Sequence, residues 1–157
     1  MSDQPDLPPD TLSGALAPDA SYGPPVIEAP VFVSDFAAGA AHARNKVAGS
    51  FKRPMDGLAG TVAALESIIA EMWTQGWTVD PKYFGVFVRD FGLVLASASQ
   101  SAYPCQLVYR SDQVLDYASL WWPDRRLGAF PFHRTAKSLI APDPGAITAF
   151  AAALARP

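Results

Sequence analysis

Cysteine, histidine and charge are scarce in this chain, and each scarcity removes a class of chemistry. The single cysteine, Cys105, excludes an intramolecular disulfide and any multi-cysteine zinc site. The two histidines, His42 and His133, stand far apart, with no HExxH or HxH spacing, so no metal ligand set is expected. Charged residues make up 17% of the chain, a globular rather than coiled-coil or disordered balance. A net charge of −3 argues against a bulk nucleic-acid binder. Neither GxGxxG nor GxxxxGK(S/T) occurs, and Ser97, Ser99 and Ser101 lack a GxSxG elbow. Dinucleotide, P-loop and serine-hydrolase chemistry therefore have no support, and no cofactor is expected. The longest charge-free stretch, Phe91–Tyr109, is interrupted by Gln100, Pro104, Gln106 and serines, so it does not read as a membrane span. The start of the chain lacks a signal peptide's basic and apolar regions. A soluble, cytoplasmic protein with no membrane partner is the simplest expectation.

Apolar residues fill half of the 157 positions, enough for one domain with a real core. Their distribution is uneven. Residues 1–30 hold seven of the fifteen prolines and five acids (Asp3, Asp6, Asp10, Asp19, Glu28), with no Lys or Arg. Such a segment buries too little apolar area to offset its ordering entropy, so it reads as a flexible, disordered acidic tail. Docking of Val26-Ile27 or of Pro30–Val33 on the domain is the alternative. No PxxP motif with flanking bases is present. Residues 31–157 carry 12 bases against 10 acids and form the single domain.

A first helix is expected from Ser34 or Asp35 to about Val47, capped by either side chain. Arg44 and Lys46 near its end suit the helix dipole without any ligand. A second is expected over about Met55–Gln75, with Leu58, Val62, Leu65, Ile69 and Met72 as its apolar face and Gly76 as its stop. A third begins at Asp80-Pro81 and is apolar nearly all round, which predicts burial between layers. Gly85 and Gly92, seven apart, predict close approach of a neighbour on that face. Arg89-Asp90 read as an exposed pair at its rim, with a buried, functionally paired charge as the alternative. Beyond Ser101 the period changes to two: Cys105–Arg110 reads as a strand, Val114–Trp122 as one or two more, and Leu127–Phe132 as an edge strand limited by Pro131. Helices over about His133–Ile140 and from Pro142 to Ala153 close the chain. The fold class expected is α+β: N-terminal helices, a small antiparallel sheet, then C-terminal helices.

The segment Leu120–Ile140 concentrates two tryptophans, two phenylalanines, a histidine and four cations. Tryptophan and arginine are enriched in interface hot spots, and guanidinium groups suit acidic partners. Trp122, Arg125, Arg126, His133, Arg134 and Lys137 are therefore the expected protein-contact surface, with no catalytic residue assigned. Trp121 and Trp122 are adjacent, so on a strand they face opposite ways. Cys105 and His133 could pair as nucleophile and base, but a cysteine in an apolar alternating run is more often a small hydrophobe.

The stretch Tyr83–Arg89, YFGVFVR, precedes the short strands, and Phe130–Lys137, PFHRTAK, opens a helix behind them. This order resembles small bacterial domains of unknown function of the DUF3806 type over about residues 80–155. The resemblance implies a compact α+β domain and carries no activity. The functional expectation is a non-enzymatic protein-binding module of a bacterial cytoplasm: an adaptor, a secretion chaperone or an immunity-type protein. A small hydrolase using His133 and a homo-oligomeric scaffolding protein, even a homodimer through the apolar helices, are the alternatives.

Overall fold

The helices form where apolar residues recur at helical spacing, and the first two end where the backbone turns left-handed. The structure, a computed structural model, describes residues 15–18, 26–27, 30–76, 81–109, 118–125 and 127–155. α1 spans Pro30–Phe51, α2 Gly57–Thr74 and α3 Pro81–Ala102. α1 is longer than its cap residues predict. Proline is tolerated at a first helical position, so the helix opens at Pro30 rather than at Ser34. It continues through Gly49-Ser50 because Phe51 packs edge-on against Phe91, with centroids 6.2 Å apart, and Lys52 at φ 54° ends it. α2 matches its expected stripe: Val62, Leu65, Ile69 and Met72 are buried, and Gly76 at φ 78° follows its C-terminus.

α3 is the spine on which α1, α2 and α4 pack. Its second half is buried through Val88, Phe91, Val94, Leu95 and Ala96. Its first turns depart from the expected all-round burial, since Tyr83 and Val86 are exposed. Asp90 is a second departure. It is 5% exposed, not at the rim, and sits between Lys46 Nζ at 2.8 Å and Arg89 Nε at 3.2 Å. This ion pair ties α1 to α3 across 44 residues of sequence.

Three central strands follow: β3 Gln106–Tyr109, β4 Ser119–Trp122 and β5 Leu127–Ala129. They are antiparallel, with Leu107 opposite Leu120 and Leu120 opposite Ala129. Those three side chains and Trp122 face the hydrophobic core. The other face is covered too: Val108, Ser119 and Trp121 are buried. Cys105 precedes β3 rather than lying in it. Of residues 1–29, two short pieces are described. β1 Ala15–Pro18 pairs with β5 and β2 Val26–Ile27 with β3, giving the order β1-β5-β4-β3-β2. The flexible-tail reading of the remaining residues to 29 falls outside the described residues, as do the turn and possible strand at 111–117.

A 3-10 turn, Pro123–Arg125, links β4 toward β5, and α4 runs Pro131–Ile140. α5 spans Ala146–Leu154, four residues later than Pro142 would start it, because Gly145 turns left-handed at φ 84°. Glu66, on α2, supplies the cap that α5 lacks locally. Its carboxylate accepts from Gly145 N at 3.0 Å and Thr148 N at 2.9 Å, at the positive end of the helix dipole. Ile147, Phe150 and Leu154 bury the expected face of α5.

Candidate functional site

The residues expected to form a contact surface are, for the most part, interior. Proline at the first position opens α4, and the helix then inserts between α3, α5 and the sheet, so that eight of its ten residues are buried. Phe132 lies over Gly92 so closely that a Cβ on that glycine would stand 2.1 Å from its Cδ1. The close approach predicted for the two α3 glycines is thus real at Gly92, while a Cβ at Gly85 would meet nothing within 4 Å.

His133 is 1% exposed and lies edge-on to Phe130, with centroids 5.6 Å apart. Its Nε2 is buried without a hydrogen-bond partner. Burial, reinforced by the Lys137 charge, pushes the imidazole down to about 4, so it is neutral at pH 7. Arg134 is also 1% exposed and donates from Nη2 to Asp143 Oδ2 at 3.3 Å. Burial pulls its guanidinium below the ordinary arginine value, and the Asp143 charge opposes that shift. Trp122, 7% exposed, donates its indole N–H to Tyr103 O at 3.1 Å. Arg125 is half-buried and donates from Nη1 to Leu154 O at 2.8 Å, which satisfies a carbonyl at the end of α5. Lys137 is half-buried, and Arg126 lies outside the described residues.

This corrects the contact-surface expectation for Trp122, His133 and Arg134. His133 and Arg134 are buried because α4 is enclosed by α3, α5 and the sheet, and Trp122 because its side of β4 faces the hydrophobic core; sequence spacing reveals neither. Trp121 and Trp122 face opposite ways as expected, and both are covered. Cys105 is held toward its protonated form. Burial pushes its thiol up to about 12, against a smaller lowering from a backbone hydrogen bond to Trp121. Ser99 donates to Leu95 O at 2.7 Å within its own helix. Among the described residues, no three His, Cys, Asp or Glu side chains are placed to hold a metal ion, and no helix is long and apolar enough to cross a membrane.

A large opening lies elsewhere. α1 buries Phe36, Ala40, Ala43 and Val47 at helical spacing, the face it lays against α3. Its next face, with Ala37 and Ala41, stays exposed. A groove of about 720 Å³ runs between that face and the end of α3, where Ser97 and Ser101 line it, with Gly57 and Thr61 of α2 also in its lining. Val33, one of three large exposed apolar residues among those described, lies in it. Arg44 is the one charged residue in the lining, with its side chain 52% exposed, near Asp56 at 3.7 Å and donating to Met55 O. Sequence reasoning missed this site because alanine and serine announce no chemistry. The signal present was the pair Ala37 and Ala41, four apart, which leaves one helix face without bulk. A smaller opening of about 220 Å³ lies between α2 and the α4–α5 connection, beside Trp73 and Asp143. Trp73 there donates to Ser138 O at 3.0 Å.

Comparisons with protein-family models, curated proteins and solved structures each find no match to this chain.

Proposed function

We propose that this chain is a non-enzymatic protein-binding module of a bacterial cytoplasm, and that it holds its partner in the groove between α1 and α3. The observation that carries this reading is the groove itself. It opens about 720 Å³, it exposes Val33, and it is walled largely by small side chains that leave room for another chain's bulk. The chemistry available elsewhere supports the same reading. His133, the base that a hydrolase would need, is neutral, enclosed and in contact with Phe130 rather than with a nucleophile. The cysteine thiol is held far from its reactive form.

The aromatic and arginine-rich segment acts in this reading as the support of the domain, not as its contact surface. The test is affinity capture from bacterial lysate with the full chain and with Ala41→Trp side by side. Ala41 is exposed, so the indole fills the groove without entering the core. A stoichiometric partner held by the natural chain and lost with the variant supports the module. A partner held equally by both moves binding away from the groove. Turnover of an ester or amide panel that His133→Ala abolishes would replace the module by the hydrolase reading.

A further inference from the structure

We infer that the cavity between α2 and the α4–α5 connection is a binding site for a small organic ammonium ion. It shares no residue with the α1–α3 groove, so it stands or falls apart from the protein-binding reading. Its volume, about 220 Å³, is below the roughly 300 Å³ at which pockets for drug-sized molecules begin, so its occupant is small. Ile69 of α2 and Ile147 of α5, both buried, give it an apolar base. Trp73 forms part of the wall, and the bond from its indole N–H to Ser138 O at 3.0 Å fixes the ring there. Ser138 also lines the cavity. It is 2% exposed, and its Oγ has no hydrogen-bond partner. A hydroxyl left in that state costs free energy that an occupant's polar group can recover.

Charge decides the class of occupant. The lining holds two carboxylates, Glu66 and Asp143, and no Lys, Arg or His. Behind them lies one guanidinium. Arg134, 1% exposed, reaches Asp143 Oδ2 at 3.3 Å; burial works against its charge, and Asp143 and Glu66 both support it. One cation thus answers two acids. Glu66 gives both oxygens to the first amides of α5. Asp143 keeps capacity, since its side chain is 54% exposed and Arg134 engages it through Oδ2. An ammonium beside Asp143 balances the remaining charge, and an indole in the same wall attracts a cation to its ring face. An anion would meet two carboxylates, and a neutral molecule would gain from neither effect.

The experiment is a titration of the full chain, followed by the indole N–H resonance of Trp73 in proton–nitrogen correlation spectra and assigned with Trp73→Phe. The probes are benzylammonium, benzyltrimethylammonium, benzyl alcohol and benzoate, which vary the charge on one ring. The expected result is saturable shifts with both ammonium ions and binding at least about 10-fold weaker for the alcohol and the benzoate. A tighter primary amine places the charge on Asp143 and Ser138, a tighter quaternary one places it on the Trp73 ring, and either supports the site. Asp143→Asn weakens both ammonium ions about 5-fold. Ala70→Phe, at an exposed position in the lining, abolishes their shifts by filling the space. The alcohol binding as tightly as the amine, the benzoate binding more tightly, or no probe moving Trp73 at millimolar concentration overturns the inference. So does ammonium binding that Ala70→Phe leaves intact, since it then lies elsewhere. Should Asp143→Asn unfold the chain by stranding Arg134, the probe series and Ala70→Phe decide alone.

Discussion

The seam between α3 and α4 and the groove between α1 and α3 are built on the same helix and have opposite characters. At the seam, a glycine meets an aromatic ring, and a helix bearing a histidine, an arginine, a threonine and a serine is almost wholly enclosed. At the groove, small side chains on both walls leave about 720 Å³ open. The seam thus spends the chemically versatile residues on cohesion, and the groove exposes residues with little chemistry of their own. A side chain's suitability for recognition and its availability for recognition are separate properties. Burial converts Trp122, His133 and Arg134 from candidate contacts into packing and internal hydrogen bonding.

The sharpest way to break the contrast is to overfill the seam. Gly92→Val places branched carbon where Phe132 already stands and costs about 3 kcal/mol or more, read as a lowered urea midpoint at unchanged slope. An unchanged midpoint would mean that the ring moves aside and that the seam is loose.

Protonation probes the same seam more gently. The ordinary imidazole value of 6.5 applies to the unfolded chain, while His133 in the fold is pushed down to about 4. Above pH 6.5 both states are neutral and nothing is lost. As pH falls from 6.5 toward 4 the unfolded chain takes up the proton first, and the fold loses about 2–3 kcal/mol. Denaturation of the natural chain and of His133→Phe across that range checks this, and the variant has the shallower slope. Equal slopes would place the loss on other groups.

Asp90→Ala tests the tie that holds α1, one wall of the groove, to α3. It removes the partner of Lys46 and Arg89 and costs about 1 kcal/mol. Faster amide exchange in α1 than in α4 is the expected pattern, because α1 packs mainly on α3 whereas α4 is enclosed. The smallest effect belongs to the groove floor. Ala41→Trp, at an exposed position, changes stability by less than about 0.5 kcal/mol, read as an unchanged thermal midpoint. A large loss there would show that the groove is closed packing after all.

Much of the architecture was legible in the chain. The stripe Val62, Leu65, Ile69, Met72 foretold the buried face of α2, and Gly76 its end. The change of period after Ser101 foretold the sheet, and Pro131 its interruption before α4. The ends of α1 were not legible, since packing of Phe51 against Phe91 carries the helix past Gly49-Ser50. The start of α5 was not legible either, because its cap, Glu66, comes from 79 residues earlier in the chain. The candidate site was almost wholly hidden: Arg44 was visible as a charge suited to a helix end, and Ala37 and Ala41 as nothing more than helix formers.

The sequence by itself determined the kinds of element, their order and which face of α2 and α5 turns inward. Those properties follow from local spacing, and a helix or strand has one apolar side wherever it is placed. Only the tertiary structure decided that α4 lies enclosed, that Gly92 receives Phe132, that Asp90 is buried between two cations, and that α1 stands off far enough to leave a groove. These depend on which faces meet across long stretches of chain. Packing between distant elements sets such meetings, and no window of neighbouring residues contains them.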